Sequence, residues 1–157
     1  MKKLNLTSLL ISIVLAELIG MVSGLLAGDS GAVYDTLFLP PFSPPGWVFP
    51  IAWGILYALM GIAAFLIADS GAPNVRKRKA LIFYTAQLTV NFLWSIVFFR
   101  FQLLWGSVAV ILLLDVLVIL TMIKFYRLRK TAMYFLIPYL LWSLFATYLN
   151  IGTALLN

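Results

Sequence analysis

Gln87, Asn91 and Trp94 recur at i, i+4 and i+7, so on a helix two amides and an indole share one face. Tyr139, Trp142, Ala146 and Asn150 make a second such stripe, and Trp53 with Tyr57 a shorter third. Indole and phenol rings stack on flat aromatic molecules, and an amide orients a polar group at the molecule's edge. The pattern therefore points to binding of a flat aromatic ligand. The competing reading is packing, because aromatics at helical spacing fill cores and Trp favours the membrane interface. Glu17 and Asp115 are isolated carboxylates in apolar surroundings. Cys and His are both absent, which excludes disulfides, thiolate nucleophiles, imidazole bases, zinc sites and His-ligated haem; no metal site is expected.

The elements that carry these residues are read from composition. The chain has 157 residues, 64% of them hydrophobic, only 10% charged and 15% aromatic. Soluble domains average roughly a quarter charged residues, so this is the composition of a membrane protein. Five apolar runs separate cleanly, at 4–27, 47–68, 80–99, 102–123 and 132–153. A spanning helix needs about 20 apolar residues, and each run meets that length. The runs are continuously apolar rather than alternating, which argues against a transmembrane β-barrel. The expected fold class is an all-α integral membrane protein, a single bundle of five transmembrane helices. Lys2 and Lys3 before the first run resemble the start of a signal peptide. That run is longer than an h-region, holds Glu17 and is followed by no small-x-small cleavage site, so the first helix is expected to be retained.

Loop charge sets the orientation. Lys2, Lys3, Arg76, Lys77, Arg78, Lys79, Lys124, Arg127, Arg129 and Lys130 fall on one side of a five-span chain, and Arg100 alone falls on the other. The positive-inside rule then puts the N-terminus in the cytoplasm and the C-terminus outside. It also accounts for the +6 net charge without nucleic acid. The basic clusters are placed to touch anionic lipid head groups as well. The outer loop 28–46 holds Pro40, Pro41, Pro44 and Pro45, which restrict φ and remove amide donors. It is either a rigid connector or a lid over a cavity.

Depth along the helices brings the aromatic stripes together. At about 1.5 Å per residue, Trp53 and Trp94 lie roughly 9–10 Å below the outer ends of their helices, and Asn91, Tyr57 and Trp142 roughly 15 Å below. Three tryptophans, a tyrosine and an amide thus surround one volume in the outer half, while Trp47 and Trp105 read as interfacial. Glu17 lies about 10 Å and Asp115 about 20 Å from the outer ends of theirs, which argues against a shared acid–base dyad. Each reads as a structural carboxylate or as part of a proton relay. Ala16, Gly20, Gly24 and Gly28 repeat every four residues, a spacing that lets another helix approach closely, within the bundle or across a dimer.

Three segments carry a resemblance. They are Pro44-Pro45-Gly46-Trp47-Val48-Phe49-Pro50-Ile51-Ala52-Trp53-Gly54-Ile55-Leu56-Tyr57, then Gln87-x3-Asn91-x2-Trp94 with Phe98-Phe99, then Pro138-Tyr139-x2-Trp142-x2-Phe145-Ala146-x2-Leu149-Asn150. In this order they resemble the tryptophan-rich sensory protein / translocator protein family, the family of the peripheral-type benzodiazepine receptor. The likeness covers essentially the whole chain. It implies a five-helix bundle, often a homodimer, that binds tetrapyrroles such as protoporphyrin IX and isoquinoline carboxamide-type ligands under the first loop. By matching positions it implies a pocket lined by Trp53, Asn91, Trp94, Trp142, Ala146 and Leu149, with Phe49, Tyr57, Gln87 and Tyr139 beside it.

The resemblance also implies that Trp53 and Trp142 are the tryptophans of a light- and oxygen-dependent porphyrin degradation. That chemistry requires no cofactor beyond molecular oxygen and light. Binding or sensing without turnover, and transport of porphyrins or other hydrophobic molecules, are the alternatives. Animal members carry an apolar–Tyr–basic cholesterol pattern near the C-terminus. After Tyr148 this sequence has no Lys or Arg, so the resemblance gives no ground for high-affinity cholesterol binding. The lack of a hydrophilic tail points to a bacterial member in the plasma membrane.

Overall fold

The structure is a computed structural model and describes residues 5–157; Lys2, Lys3 and Leu4 lie outside them. The described chain forms helices and no strand. Helix α1 runs Leu6–Ala27, a short α2 Ser30–Thr36, α3 Val48–Ala68, α4 Asn74–Ser95 and α5 Leu104–Leu128. A single turn α6, Lys130–Tyr134, leads into α7, Ile137–Leu156. Five helical stretches are long and apolar enough to cross a bilayer.

The helix ends have local causes. The Asn5 side chain accepts from the Ser8 amide at 3.2 Å and caps α1, which stops at Gly28, where φ is 82° and a side chain would be strained. The Asp29 side chain accepts from the Ala32 amide at 3.0 Å and starts α2 inside what reads, from its prolines, as an extended loop. Helix α4 begins at Asn74, directly after Pro73, so Arg76, Lys77, Arg78 and Lys79 ride on its first turns rather than in a loop. Its last turn widens into a π-helical one at Ile96–Arg100. Pro138 has no amide to donate to the turn before it, and the last span breaks between α6 and α7 at Phe135 and Leu136.

Helix α1 packs on α3, α4 on α5, and α5 on α7. The backbones of α1 and α3 come closest at Gly61, where an added Cβ would lie 2.6 Å from the Ile13 Cα, and the Ser12 hydroxyl donates to the Gly61 carbonyl at 2.7 Å. Met60, Ile67, Ile111, Leu114, Val118, Phe125, Leu136 and Tyr139 form the solvent- and lipid-free core. Most of the large apolar side chains of α1, among them Leu10, Val14, Leu15 and Leu25, face outward, as a helix bounded by hydrocarbon requires.

Candidate functional site

Above the Gly61 contact, α1 and α3 part. An added Cβ at Gly24 or at Gly54 meets nothing within 4 Å, whereas at Gly20 it would strike the Tyr57 ring at 2.2 Å. The space that opens is a cavity of about 590 Å³ between α1, α2, α3 and the outer end of α4. Trp53 and Tyr57 from α3 and Asn91 and Trp94 from α4 form its inner wall. Trp53 lies 6.3 Å from Trp94 and 5.8 Å from Tyr57, centroid to centroid, so the rings form a continuous aromatic surface. Met21, Gly24, Trp47 and Pro50 are exposed at the rim and leave the cavity open to the side.

Hydrogen bonds beneath this wall fix its orientation. The Tyr139 hydroxyl donates to Gln87 Oε1 at 2.7 Å and accepts from Asn91 Nδ2 at 3.0 Å. The Trp94 indole N–H donates to Asn150 Oδ1 at 2.8 Å, and Asn150 Nδ2 donates to the Ser107 hydroxyl at 2.9 Å. With its N–H engaged, Trp94 presents ring rather than donor to the cavity. Gln87 and Tyr139 are fully buried and lie outside the lining, so they position the wall and do not form it.

The roof is α2 and the proline segment. Tyr34 is buried, donates from its hydroxyl to the Pro44 carbonyl at 2.7 Å, and packs edge-on against Phe49 at 5.1 Å. Burial pushes the Tyr34 phenol above its ordinary pKa, a hydrogen bond with Ser43 partly offsets this, and the nearby Asp35 charge adds to it. The segment is pinned to α7. The Phe38 backbone exchanges hydrogen bonds of 3.0 and 2.9 Å with the Asn157 side chain, the Tyr148 hydroxyl donates to the Pro41 carbonyl at 2.8 Å, and Pro40 sits on Gly152.

Trp142 stands apart. It packs against Phe49 at 6.0 Å and Phe145 at 5.7 Å, and Phe49 separates it from the cavity. Its buried indole nitrogen has no hydrogen-bond partner. Ala146 and Leu149 line a small neighbouring crevice of about 30 Å³ with Phe49 and Trp94. The depth count that groups Trp142 with Trp53 and Trp94 is thus corrected by the direction in which α7 projects it.

The outer wall comes from residues that the spacing of the aromatic stripes does not assign to the pocket. Glu17, Gly20, Gly24 and Ala27 of α1 line the cavity, as does Tyr34 of α2. A stripe of small residues with one carboxylate three positions away was the available signal, since both lie on one helical face. Asp115 differs from Glu17. It is buried and receives hydrogen bonds from the Ser143 hydroxyl at 2.5 Å and the Thr147 hydroxyl at 2.7 Å, away from the cavity. Among the described residues no cluster of acidic groups is arranged to hold a metal ion.

Known proteins match most of this sequence. The TspO/MBR family model matches residues 12–156. This chain belongs to the TspO/MBR family. It is 38% identical over 155 residues to the tryptophan-rich protein TspO of Archaeoglobus fulgidus, covering 98% of this chain and 99% of that one. It is 40% identical over 124 residues to the tryptophan-rich sensory protein of Cereibacter sphaeroides, covering 79% and 76%. It is also 32% identical over 124 residues to the human translocator protein, covering 78% and 73%. Family membership and the five apolar spans together make the chain an integral membrane protein.

Proposed function

We propose that this TspO/MBR protein binds tetrapyrroles such as protoporphyrin IX, and isoquinoline carboxamide-type ligands, in the cavity under its first outer loop. The observation that carries this reading is the cavity itself. At about 590 Å³ it falls within the roughly 300–1,000 Å³ of small-molecule sites, and it joins a mostly apolar aromatic wall to a single amide, Asn91. A flat ring lies against Trp53 and Trp94 by stacking and dispersion, and the side opening lets an apolar molecule pass between lipid and protein.

Degradation of a bound porphyrin in light is the catalytic form of the same reading. The excited ring passes energy to dioxygen, and an adjacent indole takes part in the oxidation that follows. Trp53, which lines the cavity, is the residue in position for this; Trp142 acts only through Phe49. That separation favours a second reading, in which the protein carries or senses porphyrin without turnover.

An absorbance titration of protoporphyrin IX in darkness, followed by a time course in light, separates the readings. Catalysis predicts an oxygen-dependent product that the Trp53→Phe, Trp142→Phe double variant no longer makes. Dark affinity should fall by less than about tenfold, because phenyl retains much of the stacking. A carrier or sensor predicts saturable dark binding with no product beyond a detergent blank. Absence of saturable binding overturns both.

A further inference from the structure

Of the residues lining the cavity, Glu17 is the only one with a carboxyl group, and no Lys or Arg lines the space. It projects from α1 one turn inward of Gly20, whose Cα lies against the Tyr57 ring. The carboxyl therefore sits toward the closed, inner end, where the Ala58 backbone of α3 hydrogen-bonds it, with Tyr57 as the ionisable group facing it from α3 and Asn91 from α4 the other polar side chain. The cation nearest along α1 is Arg100, whose guanidinium donates to the Leu26 carbonyl at 3.3 Å, nine residues or roughly 14 Å further out. Asp115 is occupied elsewhere by Ser143 and Thr147.

A carboxylate beside aromatic walls, in a protein surrounded by hydrocarbon, is costly, and the one backbone bond from Ala58 leaves most of its acceptor positions open to a ligand donor. We propose that Glu17 selects the ligand: it takes a protonated amine or a ring N–H from an otherwise apolar, flat aromatic molecule, and it disfavours a carboxylate at that end of the cavity. This rests on the cavity being a ligand site. It adds a chemical class to that site, a planar aromatic with an N–H donor at its leading edge. For a tetrapyrrole it also fixes orientation, with acidic substituents turned to the open rim on the Arg100 side and away from Glu17.

The test compares two planar probes of equal size, an aminoacridine and the matching acridine carboxylate. Their binding is read by fluorescence anisotropy to the full chain in nanodiscs of zwitterionic phosphatidylcholine. The wild type should prefer the amine by about tenfold, the scale of one charge-assisted hydrogen bond. Glu17→Asp should retain the preference, and Glu17→Gln should abolish it by weakening the amine and tightening the carboxylate, opposite changes that a misfolded variant would not give. A wild type that binds both probes equally overturns the proposal without reference to any variant. So does a preference that survives in Glu17→Gln. If the wild type binds protoporphyrin IX but not the amine, only the role of Glu17 falls. If it binds neither, the cavity is not a ligand site and both readings fall.

Discussion

At the scale of single residues, Tyr139 has the widest reach, because one hydroxyl satisfies Gln87 and Asn91 together at full burial. Tyr139→Phe leaves the volume unchanged and strands both amides. A buried group without its partner costs about 1–3 kcal/mol, though hydrogen bonds within membranes average nearer 0.6 kcal/mol. The variant should lose about 1 kcal/mol of stability in reversible unfolding from detergent. It should also bind protoporphyrin IX more weakly, because Asn91 is released from its fixed pose. Unchanged stability and affinity would show that the wall does not depend on this bond. Asp115→Leu is the contrasting case. It removes the acceptor of two hydroxyls outside the cavity, so stability should drop by about 1–2 kcal/mol while dark porphyrin affinity stays within about twofold. A large loss of affinity would place Asp115 in the binding machinery, against the geometry.

At the scale of elements, the contact between α1 and α3 decides whether a cavity exists. The two helices touch at Gly61 and separate at Gly24 and Gly54. A side chain at Gly61 meets Ile13 and Ser12 backbone, which cannot rotate away, so Gly61→Val should destabilise by about 1–3 kcal/mol. Gly24→Ala projects into open space and should lie within about 0.5 kcal/mol of wild type. Thermal unfolding of the two variants side by side checks the pair, and equal effects would contradict this account of the interface. The small-residue stripe at Ala16, Gly20, Gly24 and Gly28 predicts close helix approach, within the bundle or to a second copy. The structure puts the closest approach on the partner helix at Gly61, and uses Gly20 to seat Tyr57 inside the same chain. Spacing reveals which residues share a face. It does not reveal whether that face meets a backbone, a ring or a void, because that depends on the crossing of two helices.

The same limit explains what was and was not legible elsewhere. Hydrocarbon imposes one demand, about 20 apolar residues with all backbone groups paired, so the five spans follow from hydropathy alone. Helix α2 is only seven residues long, set in a proline-rich loop, and rests on one Asp29 cap that hydropathy does not register. Trp53, Tyr57, Asn91 and Trp94 were legible as neighbours because each is on an inward face at similar depth. Trp142 shares their depth, but Phe49 fills the space between. Only the packed structure shows that interposition.

At the scale of the whole molecule, the charge bias of the loops predicts which surface faces the cytoplasm. The chain contains no Cys, so single substitutions give labelling without background. Asn74→Cys should react with an impermeant maleimide only after cells are permeabilised, and Asp35→Cys, exposed on α2 at the outer side, should react in intact cells. The reverse pattern would invert the orientation and place the cavity's roof on the cytoplasmic side.

The central claim is that a flat aromatic ligand lies against Trp53 and Trp94, beneath the roof formed by Tyr34 and the proline segment. Its most direct test is to illuminate the protein with a stoichiometric amount of protoporphyrin IX and map oxidised tryptophans by mass spectrometry. Trp105, well exposed on the lipid-facing surface, serves as the internal control. A porphyrin seated in the cavity oxidises Trp53 and Trp94 well ahead of Trp105, and the difference disappears when an excess of a non-photosensitising competitor occupies the site. Oxidation at Trp105 equal to that at Trp53, or a pattern untouched by the competitor, would mean that the porphyrin dissolves in the surrounding lipid or detergent and the cavity is not its site.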